Sequence, residues 1–287
     1  MYNPYENTLD GLLLDNPVSA FFQFCKDREE IRLKRESGIP APWSDDEIFQ
    51  KGRFLNVFRE DDRGSKAIIN FSKNLNGDLT KLVQTVFFAR WCNRQETLDQ
   101  LEPEILSQPE KLSKCLSHFK PWCNKTAYPV EIIQWKGKHY SRLYSATHIF
   151  ERAKHMLSEI IKDSQGSVIK ATNDINEIFK MNNDFPIFMA VMDIAWFRPD
   201  IINPDSHVPV GIGAIAYLKR LQTYLKLKNA IEVFDEMIKL QKELWPEAKR
   251  EFHPIDIEYI SCECRKYYSY INGTKLFEGK NRFKPKK

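Results

Sequence analysis

Apolar side chains in this chain recur at spacings of three and four over stretches too long to be strands, and that period dictates a mainly helical fold. His148 to Asp163 sets Ile149, Phe150, Ala153, Leu157, Ile160 and Ile161 along one stripe, the pattern of a helix with one buried face. Ala230 to Trp245 repeats it through Ile231, Phe234, Ile238, Gln241 and Trp245. Lys81 to Cys92 gathers Leu82, Val83, Val86, Phe87 and Arg90 near one face. Ser44 with Glu47, and Ser107 with Glu110, have the spacing of capping boxes and predict two helix starts. Val130 to Tyr144 breaks the pattern and predicts one small β-hairpin, turning at Lys136-Gly137-Lys138. With only 11 glycines in 287 residues, a turn-rich all-β protein is excluded.

Length and composition bound the function classes. A chain this long buries a core without staples, and 42% hydrophobic with 29% charged residues is a globular composition. We expect a single helical catalytic domain over 1–274 and a basic tail over 275–287. The longest apolar run, Phe185 to Phe197, is too short to span a bilayer and contains Asp193, so no membrane role is expected. The N-terminus lacks the basic flank and apolar stretch of a signal peptide, which predicts a cytoplasmic protein (host cytoplasm if phage-encoded). Six cysteines without a CxxC pair fit reduced thiols, and no metal site is expected from them; Cys115, His118 and Cys123 lack a second ligand pair. The tail sets six lysines and arginines, Lys284 and Lys286 among them, against Glu278, leaving the rest near neutral. Such a tail suits an anionic polymer through counterion release, or is a solvated terminus.

Four segments carry more than packing. Lys26 to Lys66 holds ten basic and ten acidic residues, interleaved with Trp43, Phe54, Asn56 and Phe58. Mixed charge commonly marks a solvated face. Yet Arg28, Arg32, Arg53 and Arg59 are rigid forks that can grip phosphate oxygens, Asn56 can read a base edge, and Trp43 can stack on a base or plug a rigid loop. Val210-Gly211-Ile212-Gly213 before the periodic Ile215 to Leu227 has the spacing of a helix-hairpin-helix turn, over roughly 185–227, whose amides can hold a DNA phosphate; a plain helix connection reads the same way. Asp193 lies among apolar neighbours, so it is either a general base with a raised pKa or a structural carboxylate, paired to an arginine or capping a helix. In Asp256 to Tyr270, Glu263 falls on a stripe with Tyr259, Ile260, Lys266 and Tyr267, as an acid or base or as half of a surface pair.

In order along the chain, Arg28-Glu29-x-Ile31-Arg32, Gly38-x-Pro40-x-Pro42-Trp43-x-Asp45, Arg53-Phe54-x-Asn56-Val57-x-Arg59-Glu60-Asp61-Asp62, Phe88-Ala89-Arg90-Trp91-x-Asn93-Arg94-x-Glu96-Thr97, Phe188-Met189-Ala190 to Asp193, Gly211-x-Gly213-Ala214 and Cys262-Glu263-x-x-Lys266-Tyr267 resemble a family of phage and bacterial DNA-hypermodification proteins. It includes alpha-glutamyl/putrescinyl thymine pyrophosphorylase, amino acid:DNA transferase, and the helical domain associated with the 5-hydroxymethyluracil DNA kinase. Two positions depart from its pattern: Ile212 stands where proline is usual, and Ser261 where an apolar residue is usual.

The resemblance implies a DNA-glycosylase-like helical fold acting on double-stranded DNA that contains modified thymine. The implied reaction replaces the pyrophosphate of 5-pyrophosphoryloxymethyl-deoxyuridine with an amino acid or amine, downstream of a pathway DNA kinase. It implies Arg28, Arg32, Arg53 and Arg59, alone or with a divalent metal such as magnesium, on the leaving pyrophosphate. Trp43, Asp45, Asn56 and Asp62 complete the substrate-binding set, around an extruded base. Asp193, Glu263 and Lys266 form the catalytic set, with either carboxylate as proton acceptor, and Val210, Gly211, Gly213, Lys284 and Lys286 contact DNA. Two rivals stand beside this. A helix-hairpin-helix glycosylase would need an aspartate soon after the hairpin, where this chain has Lys226 and then Asp235 on a helix. A non-catalytic DNA-binding partner of the kinase is the other.

Overall fold

The structure, a computed structural model, describes residues 16–75, 77–124 and 132–273. Lys284, Lys286 and the rest of the basic tail lie outside them. In chain order the helices are α1 (Pro17–Glu36), α2 (Glu47–Lys51), α3 (Arg63–Ser72), α4 (Leu79–Cys92), α5 (Gln95–Leu98), α6 (Pro109–Leu116), α7 (Arg142–Tyr144), α8 (Phe150–Asp163), α9 (Val168–Phe179), α10 (Phe185–Phe197), α11 (Ile215–Leu225), α12 (Ala230–Leu244) and α13 (Pro254–Ile271). The predicted hairpin is present: β1 (Ile133–Trp135) pairs antiparallel with β2 (Lys138–Tyr140). Its turn residues Lys136 and Gly137 both have positive φ, 47° and 77°, as a tight two-residue turn requires.

The predicted helices form because their caps are in place. Asn16 Oδ1 accepts the Ser19 N–H at 2.9 Å with Pro17 at the first helical position, and Asp78, Ser167 and Asn229 cap α4, α9 and α12 in the same way. Neither predicted capping box forms. At α2 the cap is Asp46, whose carboxylate accepts from Ile48 N–H at 2.6 Å, while Ser44 Oγ accepts from Asp46 N–H instead. Pro109 starts α6, so Ser107 lies outside it and donates its hydroxyl to Glu104 O at 2.8 Å.

The chain divides into two compact units, residues 1–62 with 210–287, and residues 63–209. In the first, α1 packs on α11, α12 and α13. Phe21, Phe22, Phe58, Trp245 and Phe252 form its aromatic core, with Phe22 stacked on Phe252 at 6.2 Å. Gln241, on the predicted apolar stripe of α12, is buried because its amide donates to Arg250 O and accepts from Phe252 N–H.

In the second unit α4 is the central helix, packed by α3, α8 and α10. It is therefore buried nearly all round, Gln84, Thr85 and Arg90 included, and not on the single predicted face. Between α7 and α8, Ser145–Ile149 winds as a π-helical turn. No helix among the described residues is long and apolar enough to cross a membrane.

Candidate active site

The first unit brings together side chains from α1, the 54–62 segment and α13. Arg28 on α1 is buried, and its guanidinium donates to Leu55 O at 2.8 Å, to Phe54 O at 3.3 Å and to Asn56 Oδ1 at 2.7 Å. Its Nη1 is buried with no hydrogen-bond partner among the described residues. Burial lowers the Arg28 pKa, with the nearby Arg35 charge acting in the same direction and Asp62, Glu263 and Tyr259 opposing. Asn56 is fixed at both ends: its side-chain amide donates to Asp61 O at 2.8 Å, and its backbone N–H donates to Asp62 Oδ1 at 3.0 Å.

Asp62 joins this segment to α13. Its Oδ2 accepts from Arg59 at 3.3 Å and from the Tyr259 hydroxyl, while the Arg59 guanidinium lies 4.7 Å from the Tyr259 ring centre. Burial raises the Asp62 pKa, with Arg59 opposing. One turn along α13, Glu263 Oε2 accepts the Leu55 N–H at 2.9 Å, and Lys266 donates to Glu263 Oε1 at 2.7 Å. The Lys266 ammonium also lies 5.0 Å from the Phe54 ring centre. Arg32 takes a parallel position, with a bidentate pair to Glu29, a contact to Glu36 and Asp61 at 3.6 Å. Beside it, Arg250 bridges Glu60 and Asp256 and lies over the Phe58 ring with Lys249.

Glu258 has no counterpart in the sequence reading. It is buried on α13 and accepts the Gly211 N–H at 3.0 Å; burial lifts its pKa to about 7, opposed by that bond and by Arg59. The signal was present in sequence, since Glu258, Cys262 and Lys266 follow at four-residue spacing on one helix face. The two glycines of the hairpin motif serve this helix. A Cβ on Gly211 would lie 2.8 Å from Glu258 Oε1, and one on Gly213 would lie 2.4 Å from Cys262 Sγ. Gly213 O also accepts from Arg265 at 2.8 Å. The Gly211 amide, expected to meet a DNA phosphate, is thus committed to a carboxylate. Val210 is half-buried and Ile212 exposed.

Arg28, Asn56, Arg59, Asp62, Glu263 and Lys266 therefore share one network, with Arg32 joined through Asp61. Other predicted residues lie apart from it. Arg53 is exposed without an ion pair among the described residues, and Asp45 is exposed. Trp43 donates its indole N–H to Ile39 O at 2.6 Å in the Pro-rich loop, with Arg35 6.0 Å from its ring centre. Asp193 belongs to the second unit. It is fully buried on α10, and its oxygens accept from Arg90 of α4, one of them at 2.7 Å. Arg90 also donates to Ser65 Oγ at 3.2 Å. Of the two readings of Asp193, this geometry is that of the carboxylate paired to an arginine.

Fold and site define a mainly helical protein whose first unit gathers buried guanidinium groups beside carboxylates. A family model described as the 5-hmdU DNA kinase, helical domain, matches residues 16–274, and the chain belongs to that family. This relates it to DNA thymidine modification, in which a DNA kinase acts on 5-hydroxymethyluracil in DNA. No curated protein and no solved structure matches the chain.

Proposed function

We propose that the chain is a DNA base hypermodification transferase, replacing the pyrophosphate of 5-pyrophosphoryloxymethyl-deoxyuridine in DNA with an amino acid or amine. Arg28 carries the reading. A buried guanidinium with one nitrogen unpartnered is costly unless a further acceptor arrives, and a phosphate oxygen is the acceptor its fork geometry suits. Arg28 and Arg59 stabilise the charge that develops on departing pyrophosphate. The exocyclic carbon tolerates this departure because it is conjugated with the pyrimidine ring. Asn56, its amide committed to Arg28 and Asp61 O, positions the Arg28 fork and does not read a base edge, and Tyr259 with Asp62 keeps Arg59 in place.

The incoming amine must lose a proton, and Glu258, near neutrality, suits that task better than Asp193, whose oxygens are taken by Arg90. Glu263 and Lys266 position the Leu55 segment that lies against Arg28. We take the helical frame to be of the DNA-glycosylase type, with 185–227 as its hairpin unit. The test is mass spectrometry of nucleosides after pyrophosphorylated DNA is incubated with the protein and a pool of amino acids and amines. A heavier nucleoside with pyrophosphate release is expected, and Arg59→Ala and Glu263→Gln should lose it while staying folded. Free base or abasic sites would establish excision instead; Asp235, on the exposed face of α12, gives that reading no support.

A second reading draws on the family description, which names the helical domain of a DNA kinase, while this sequence has no phosphate-cradling glycine loop. It makes the chain a DNA-binding partner of the kinase. Stimulation of the kinase on hydroxymethyluracil DNA, with no nucleoside product under any added amine, would establish it.

A further inference from the structure

In the second unit the β-hairpin and the start of α8 build an aromatic and cationic surface that the transfer reaction does not use. Tyr140, at the end of β2, stacks on Tyr144 with ring centres 5.0 Å apart and planes 11° apart; Tyr144 stacks on His148 at 4.3 Å and 2°. Arg152, one turn further, lies 6.0 Å from the Tyr144 ring centre. The residues follow at intervals of four, so a strand end, α7, the π-helical turn and α8 carry them along one row. A π-helical turn is uncommon and is found chiefly at functional sites.

The row borders a groove of about 390 Å³ lined by Trp135, Lys136, Lys138, Tyr140 and Arg152, two aromatic rings and three cations without a carboxylate. Lys136, Lys138 and Arg152 are exposed, and none has an acidic partner among the described residues. Glu151, beside Arg152 in sequence, pairs with Lys154, and Glu110 lies 3.8 Å from His148 Nε2. Flat rings flanked by unpaired cations suit a polymer that alternates planar bases with phosphates, and an unpaired strand exposes base faces that a duplex keeps stacked.

We propose that this groove binds an unpaired stretch of DNA, with a base face on Tyr140, extending its stack with Tyr144, and backbone phosphates on Lys136, Lys138 and Arg152, while buried Trp135 forms the floor. The site is separate from the proposed chemistry, and its failure would leave the transferase reading intact.

The test is fluorescence anisotropy of the full chain with a labelled single-stranded oligonucleotide and with its duplex. Single-stranded DNA should bind more tightly, and Tyr140→Ala should weaken it about tenfold. The triple variant Lys136→Gln, Lys138→Gln, Arg152→Gln should lower the slope of log affinity against log salt by about 2, for three phosphate contacts on a single strand. Lys239→Gln on exposed α12 should leave both unchanged. Thermal melts of each variant separate lost binding from lost folding. Absence of single-strand binding, preference for duplex, or an unchanged salt slope in the folded triple variant would each overturn the proposal.

Discussion

Gly211 donates its backbone N–H to the buried carboxylate of Glu258 at 3.0 Å, and a Cβ there would lie 2.8 Å from the same oxygen, so any larger residue would push the carboxylate from its place. The glycine motif and α13 are thus complementary surfaces, and the chemistry we assign to Glu258 depends on their fit.

Glu258 makes stability pH-dependent in a known direction. Its pKa rises from 4.5 to about 7 in the folded protein, so the folded state keeps a proton that the unfolded chain has released. That contribution is fully present below about pH 4.5 and is lost as pH rises through about 7. Glu258→Gln should therefore match the parent near pH 4 and exceed it at pH 8 by up to roughly 3 kcal/mol in urea melts. An equal difference at both pH values would show that burial does not hold the proton.

Asp193 and Arg90 should behave as a core pair. Asp193→Asn leaves a buried guanidinium poorly paired and should cost about 3–5 kcal/mol in chemical denaturation, whereas Arg90→Met with Asp193→Leu should recover much of that loss. Residual turnover should follow the folded fraction. Abolished turnover in a fully folded Asp193→Asn protein would return the residue to the catalytic set.

Gly213→Ala should destabilise by about 1–3 kcal/mol through overpacking, since its Cβ would meet Cys262 Sγ at 2.4 Å. Cys262→Ala should relieve most of this in the double variant, a coupling that a double-mutant cycle measures directly. Additive effects would mean that the close approach is not what requires glycine.

Arg28→Lys keeps the charge but cannot reach Leu55 O, Phe54 O and Asn56 Oδ1 together. Pyrophosphate release should fall by about 100-fold, with a smaller effect on the melting midpoint. Turnover at the parent rate would remove the guanidinium fork from the proposed mechanism.

Much of this was legible in sequence. Three-four periodicity located α4, α8 and α12, the Lys136-Gly137 turn located the hairpin, and the motif blocks named Arg28, Asn56, Arg59, Asp62, Glu263 and Lys266, which do meet. Those signals are local or carried by residue type, so they survive without coordinates. The two capping boxes failed because Asp46 and Pro109, each two residues after the expected cap, set the actual helix starts.

What tertiary structure alone decided was partnership. Asp193 was an isolated carboxylate in an apolar run until α4 brought Arg90 to it from 103 residues away. Glu258 was one more acidic residue on a helix until the fold buried it and brought the Gly211 N–H, 47 residues distant, to its carboxylate. The free energy of a buried charge is set by whatever surrounds it in space, and sequence order does not encode that distance.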